Sequence, residues 1–169
     1  MDAHADGVIR KNGEGYEIIF TRRLKRPIEK VWAAITVPER IADWLAVATI
    51  EPDLSLGARF SLRFSEGDYR MSGEIVALDP PRLIAWTWPE RPDATAPPSV
   101  VRFELRPDGE GCVLTLTNTG LGRPHPSQAA GWHTHLEGLE AAADGVGTPW
   151  SAERERRHLE RYQEALETF

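Results

Sequence analysis

The sequence predicts an α+β fold of the helix-grip type: a curved antiparallel sheet wrapped around a long C-terminal helix. Two short helices follow the first strand, and an extra helix closes the chain. Three observations predict this order. Residues 27–45 carry apolar side chains at helical spacing directly behind a strand. Residues 47–119 then read as extended segments parted by turn formers, and 127–144 return to helical spacing.

Residues 7–11 and 15–24 read as strand segments around the turn-prone Asn12-Gly13. Tyr16, Ile18 and Phe20 alternate with Glu17, Ile19 and Thr21, which gives the second segment one drier face. Pro27 suits a first helical turn because its missing N–H would find no intrahelical acceptor there. Ile28, Val31, Trp32 and Ile35 follow at helical spacing. Pro38 interrupts, and 39–45 form a second short helix bearing Ile41, Trp44 and Leu45.

Strands are expected at 47–52, 58–65, 68–78, 82–88, 99–106 and 111–119. Leu56-Gly57, Glu66-Gly67-Asp68, Asp79-Pro80-Pro81 and the stretch 107–111 separate them with residues that favour antiparallel connections. Phe60, Leu62 and Phe64 alternate with Arg59, Ser61 and Arg63, the pattern of a half-buried strand. The prolines within 89–98 predict a loop. Ser127 can cap the helix 127–144, whose apolar stripe is Ala129, Trp132, Leu136, Leu139 and Ala143, with Gly145 and Gly147 ending it. Residues 152–167 form a charged helix with the stripe Leu159, Tyr162, Leu166 and Phe169, and with Glu153 four residues before Arg157. Two units are expected, a domain over 1–148 and an amphipathic helical extension over 149–169. The extension's stripe is expected to pack on its own domain, with a homodimer seam as the alternative.

A chain of 169 residues can bury one sizeable core, and a formal net charge of −6 offers no electrostatic footprint for nucleic acid. No run approaches the ~18 apolar residues of a membrane span. Met1-Asp2-Ala3-His4-Ala5-Asp6 has neither a basic start nor an apolar signal segment, so a soluble, cytoplasmic protein is expected. Cys112 is the only cysteine, which excludes an intrachain disulfide and a cysteine-built metal site. Its neighbours Val113 and Leu114 make it a small buried hydrophobe. His133-Thr134-His135 invites a metal reading, but helical residues two apart do not share a face. Neither a metal nor a cofactor is expected, and no phosphate loop or nucleophile triad is present.

The segments that carry a family likeness are Pro27-Ile28-Glu29-Lys30-Val31-Trp32-Ala33-Ala34-Ile35-Thr36 and Pro38-Glu39-Arg40-Ile41-Ala42-Asp43-Trp44. Leu56-Gly57-Ala58-Arg59-Phe60, Gly73-Glu74-Ile75, Pro80-Pro81-Arg82-Leu83-Ile84-Ala85-Trp86-Thr87-Trp88 and Gly131-Trp132 follow in order. Over roughly 7–145 the chain resembles the START-like (SRPBCC) superfamily, and within it the homologues of the activator of the 90-kDa heat-shock chaperone ATPase. The resemblance implies a curved sheet gripping a C-terminal helix, often around an apolar ligand, but fixes neither ligand nor reaction. The eukaryotic co-chaperone is similar only over its C-terminal domain, and its other domain makes the principal chaperone contact. Chaperone activation is therefore not the expected activity.

Trp86 and Trp88 lie two apart on one strand and so project from the same face. With Phe60, Phe64, Tyr69, Met71, Trp132 and Leu136, and with Trp44 behind them, they can line an aromatic cavity for an apolar or aromatic small molecule or lipid. The same residues can instead fill that space as an ordinary core. Glu51, Glu74, Arg70 and Arg102 read as an exposed cross-strand charge lattice in preference to a buried acid–base set. The leading expectation is a noncatalytic binding module. The alternatives are a cyclase- or hydrolase-like enzyme acting on an apolar substrate in the cavity, and a co-chaperone-like interaction module using an exposed Trp150 and the terminal helix.

Overall fold

Apolar alternation resolves much of the chain into strands, and the computed structural model describes residues 6–65, 69–89 and 97–167. The expected turn at 66–68 and most of the expected loop at 89–98 lie outside the described residues, as does Phe169. The strands are β1 (Val8–Asn12), β2 (Gly15–Leu24), β3 (Val47–Glu51), β4 (Arg59–Arg63), β5 (Arg70–Asp79), β6 (Leu83–Trp88), β7 (Ser99–Asp108) and β8 (Gly111–Leu121). Among the described residues they form one curved antiparallel sheet in the order β1-β2-β8-β7-β6-β5-β4-β3.

Helices α1 (Ile28–Thr36) and α2 (Pro38–Trp44) carry the chain from β2 to β3 at the far edge of that sheet. Pro27 stands at the cap of α1, one position outside the first turn expected for it. Val37 ends α1 and caps α2 with extended backbone (φ −91, ψ 119), the conformation a residue before proline favours because the proline ring crowds the helical alternative.

Register places one row of side chains after another on the inner face. Phe20, Leu116, Phe103 and Ile84 sit opposite one another across β2, β8, β7 and β6, and Ile18, Asn118, Val101 and Trp86 form the next row. All eight are at most 1% exposed. A row this dry needs a cover, and α3 (Pro126–Leu136) supplies it through Trp132, whose ring meets Phe103 at 5.9 Å and Trp88 at 5.6 Å. On the outer face Glu51, Arg59 and Glu74 align across β3, β4 and β5 and are exposed; Arg70 and Arg102, also exposed, do not join them, since Arg70 sits opposite Arg63 and Arg102 pairs with Glu104.

The single helix expected over 127–144 is two, α3 and α4 (Leu139–Ala143). A side chain at Gly138 would come within 2.9 Å of the Thr148 Cβ, because the chain returns there with Thr148 N–H donating to the Asp43 carbonyl at 3.0 Å. The cap of α3 is His125 and not Ser127, because Pro126 fills the first helical position. Gly145 leaves α4 with φ 76, and Arg26 anchors that end by hydrogen bonds to Asp144, which hold the Asp144 carboxyl below its ordinary range.

The last helix, α5 (Ala152–Leu166), begins with Ser151 accepting from Arg154 N–H at 3.2 Å and packs on α3. Tyr162 is buried beneath it, while Leu159 and Leu166 are partly buried against the core. No helix among the described residues is long and apolar enough to cross a membrane.

Trp132→Ala should destabilise the fold by roughly 3–5 kcal/mol, the usual cost of emptying a buried indole site. Chemical denaturation showing an unchanged midpoint would remove Trp132 from the core. Cys112 is fully buried, and burial pushes its thiol up to about 11. The native protein should therefore resist dithiobis-nitrobenzoate at about pH 8 and react fully once unfolded, since the thiolate is the nucleophile. The unfolded thiol ionises near 9.0, so this residue's contribution to stability is intact below that pH and is lost as pH rises towards about 11. Rapid labelling of the folded protein would contradict this.

Candidate functional site

Two periodicities meet at one end of the sheet. Trp86 and Trp88 both point inward from β6, as their two-residue spacing requires. On α3, Gln128, Gly131, Trp132 and His135 recur at i, i+3, i+4 and i+7 and share a face. Between these surfaces lies a cleft of about 210 Å³, which Phe64 and Tyr69 wall from the sheet side. Leu45 behind α2, Ser127 in the first turn of α3 and Glu155 on α5 complete the wall.

The aromatic residues are one connected chain of rings. Phe60 stacks on Trp86 at 4.2 Å, and Trp86 stacks on Phe103 at 5.2 Å. Phe103 then meets the edge of Trp132, Trp132 meets Trp88, and Trp88 meets Phe64 at 5.9 Å, with Tyr69 last at 5.7 Å from Phe64. The deep members fill the space between sheet and helix. The outer members border the cleft.

Of the nine residues singled out from sequence, Phe64, Tyr69, Trp88 and Trp132 come together at the cleft. Phe60 and Trp86 lie deeper, Trp86 sandwiched between Phe60 and Phe103. Trp44 donates its indole N–H to the Ala34 carbonyl at 2.8 Å and sets its ring edge against Phe103. Met71, opposite Leu62 in the β4–β5 ladder, and Leu136 are buried without lining this cleft. Trp150, expected to be exposed, is half-buried and donates to Glu155 at 3.2 Å.

Sequence reasoning passed over Asn118. It is fully buried in phase with Leu114 and Leu116, on the inner face of β8. Its side-chain oxygen accepts from Gln128 Nε2 at 3.0 Å and from Trp132 Nε1 at 3.3 Å, and its amide donates to the Val100 carbonyl at 3.3 Å. One buried amide thus holds two cleft-lining side chains of α3 in place. The strand's own alternation is the signal: position 118 falls on the face where Leu114 and Leu116 point, so a polar side chain there needs partners. Gln128 follows from α3 periodicity in the same way.

A second cleft, about 310 Å³, adjoins the first and shares Tyr69, Trp88 and Gln128 with it. Ser99, Leu121, Arg123 and His125 complete its lining. Trp88 donates its indole N–H to Tyr69 Oη at 3.2 Å, and Ser99 donates its hydroxyl to the Trp88 carbonyl at 3.0 Å, so the shared wall is fixed at both ends.

The paired histidines diverge as helix geometry demands. His135 Nδ1 lies 3.0 Å from the Trp44 carbonyl, on the cleft side. His133 Nδ1 lies 2.8 Å from Tyr162 Oη, and its ring stacks on His158 at 3.8 Å, so it faces α5. Burial pushes the Tyr162 phenol up to about 12. Among the described residues no group of three His, Cys, Asp or Glu side chains is placed to hold a metal ion.

Solved structures with this architecture include CalU16 of Micromonospora echinospora, with 24% identity and TM-score 0.71 over 94% of this chain and 95% of that one. A Bordetella parapertussis protein shares 29% identity, with TM-score 0.70 over 96% and 92% of the two chains. A conserved protein of unknown function from Enterococcus faecalis keeps a TM-score of 0.73 at 16% identity, over 96% and 91%, which shows the fold alone. No curated protein sequence matches significantly. Residues 25–144, from the turn before α1 to the end of α4, match the model of the family described as activator of Hsp90 ATPase homolog 1-like protein, and the chain belongs to that family.

Proposed function

We propose that the protein binds a small apolar or aromatic molecule in the cleft between the end of β6 and α3. Family membership sets the fold, so the chemistry has to come from the site. The observation that carries the reading is the cleft itself, where Phe64, Trp88 and Trp132 border open volume at the end of an otherwise filled aromatic interior. Aromatic walls desolvate well against an apolar ligand, and Tyr69, Gln128 and His135 supply polar groups at the margin to orient it. The walls are held before any ligand arrives, by Asn118 behind Trp132 and by Tyr69 beside Trp88. A preorganised wall spends little entropy on binding.

Fluorescence titration with phenylnaphthylamine, an uncharged aromatic probe, tests this reading. Trp88→Ala should raise the Kd about tenfold, the scale of one lost aromatic contact. Val76→Ala, on an exposed part of β5, should leave it unchanged. Equal affinity in wild type and Trp88→Ala would place the site elsewhere.

Asn118→Leu removes the shared acceptor while keeping the side chain's volume. It should cost about 1–3 kcal/mol in denaturant unfolding, because two donors lose a buried partner. It should also weaken probe binding in protein that remains folded. An unaltered midpoint together with unaltered binding would deny Asn118 its anchoring role.

A further inference from the structure

We propose that the ligand is an amphipathic anion, with its apolar or aromatic body between Trp88 and Trp132 and a carboxylate- or sulfonate-like head held by Arg123. This deepens the binding reading above and rests on it. The apolar cleft of about 210 Å³ is smaller than the ~300–1,000 Å³ of ordinary ligand pockets, and the adjoining polar cleft adds about 310 Å³. The two share Tyr69, Trp88 and Gln128, so a molecule reaching past that rim touches both.

The chemistry of the two ends differs in sign. Among the described residues lining the polar cleft, Arg123 carries a fixed positive charge and no Asp or Glu is present. The acid of the apolar cleft, Glu155, belongs to the other cleft only and is held there by the Trp150 indole. In a chain of net charge −6 this is a local reversal. Arg123 Nη2 lies 3.3 Å from His125 Nε2, and Ser127 Oγ lies 3.2 Å from His125 Nδ1. The imidazole is thereby braced from both nitrogens, and a guanidinium with five N–H donors keeps others for an anion. His125 also caps α3, so the positive end of that helix faces the same region. Repulsion by the acid Glu155 and attraction by Arg123 together fix which way round an amphipathic anion lies.

The test compares two probes that share a ring system and differ in a sulfonate: anilinonaphthalene sulfonate and phenylnaphthylamine. Wild type should bind the sulfonate about tenfold more tightly, the scale of one charge-assisted hydrogen bond, and added salt should narrow that gap. Arg123→Gln should abolish the gap while leaving phenylnaphthylamine within about twofold, whereas Trp88→Ala should weaken both probes. Equal affinities of the two probes in wild type, with both still sensitive to Trp88→Ala, would overturn the anionic head and leave the binding reading standing. Equal weakening of both probes by Arg123→Gln would also overturn it, by making Arg123 a support of the cleft and not a charge partner. Insensitivity of both probes to Trp88→Ala would overturn the binding reading, and this proposal with it.

Discussion

The placement of α3 on the sheet depends on one indole and its acceptor. Trp132 lays its ring edge against Trp88 and Phe103 and points its N–H at Asn118. Every other side chain in that row of the sheet is apolar, as Ile18, Val101 and Trp86 show. Sliding the helix by one turn would bury the N–H against hydrocarbon and strand the Asn118 amide, a cost on both sides of the contact. Apolar packing alone would tolerate several positions of a helix on a sheet. A single buried hydrogen bond selects among them. Once that position is set, the helical repeat dictates where Gln128 and His135 fall, and so where the cleft lies.

Covering on several sides also explains why α3 carries such a weak amphipathic pattern. The sheet takes Trp132, α5 takes His133 through Tyr162 and His158, and the end of α2 takes His135 through the Trp44 carbonyl. Thr134, which is also buried, turns its hydroxyl back to the Ala130 carbonyl at 2.8 Å. A helix enclosed in this way keeps little wet face to mark with charges. Its polar residues are the ones that find partners on neighbouring elements. Ala129 and Ala130, both fully buried, mark where those elements approach closely.

The strands were legible because a sheet with one dry face writes its period directly into the chain, as Phe60 and Leu62 do on β4, with Phe64 in phase just past its end. The helix break at Gly138 was not legible. A lone glycine in a helical pattern is commonly tolerated, and what forbids a side chain here is Thr148, ten residues on, returning past it. The cap failed locally, because Ser127 competes with Pro126 for the start of the helix and proline's fixed geometry wins. At the site, Trp86 and Trp88 carry the same signal in sequence: same strand, same face, same residue type. Their different surroundings come from Phe60 and Phe103, which clamp one and not the other, and those partners lie on other strands. Trp150 misled for a similar reason, since its partner Glu155 only reaches it once α5 has docked.

The ring chain from Phe60 to Tyr69 passes gradually from structure to surface. At its inner end Trp86 lies between Phe60 and Phe103, and among the described residues its N–H goes without a hydrogen-bond partner inside that apolar stack. Close packing there outweighs one unsatisfied donor. At its outer end, Trp88 turns its N–H to Tyr69 and leaves a flank on the cleft. A change at Phe60 therefore acts through the stability of the whole sheet, while a change at Phe64 or Tyr69 acts first on what the cleft can hold. Because the rings touch in sequence, the outer walls inherit their rigidity from the filled interior. The aromatic core packed between sheet and helix is what keeps the cleft at its end in shape.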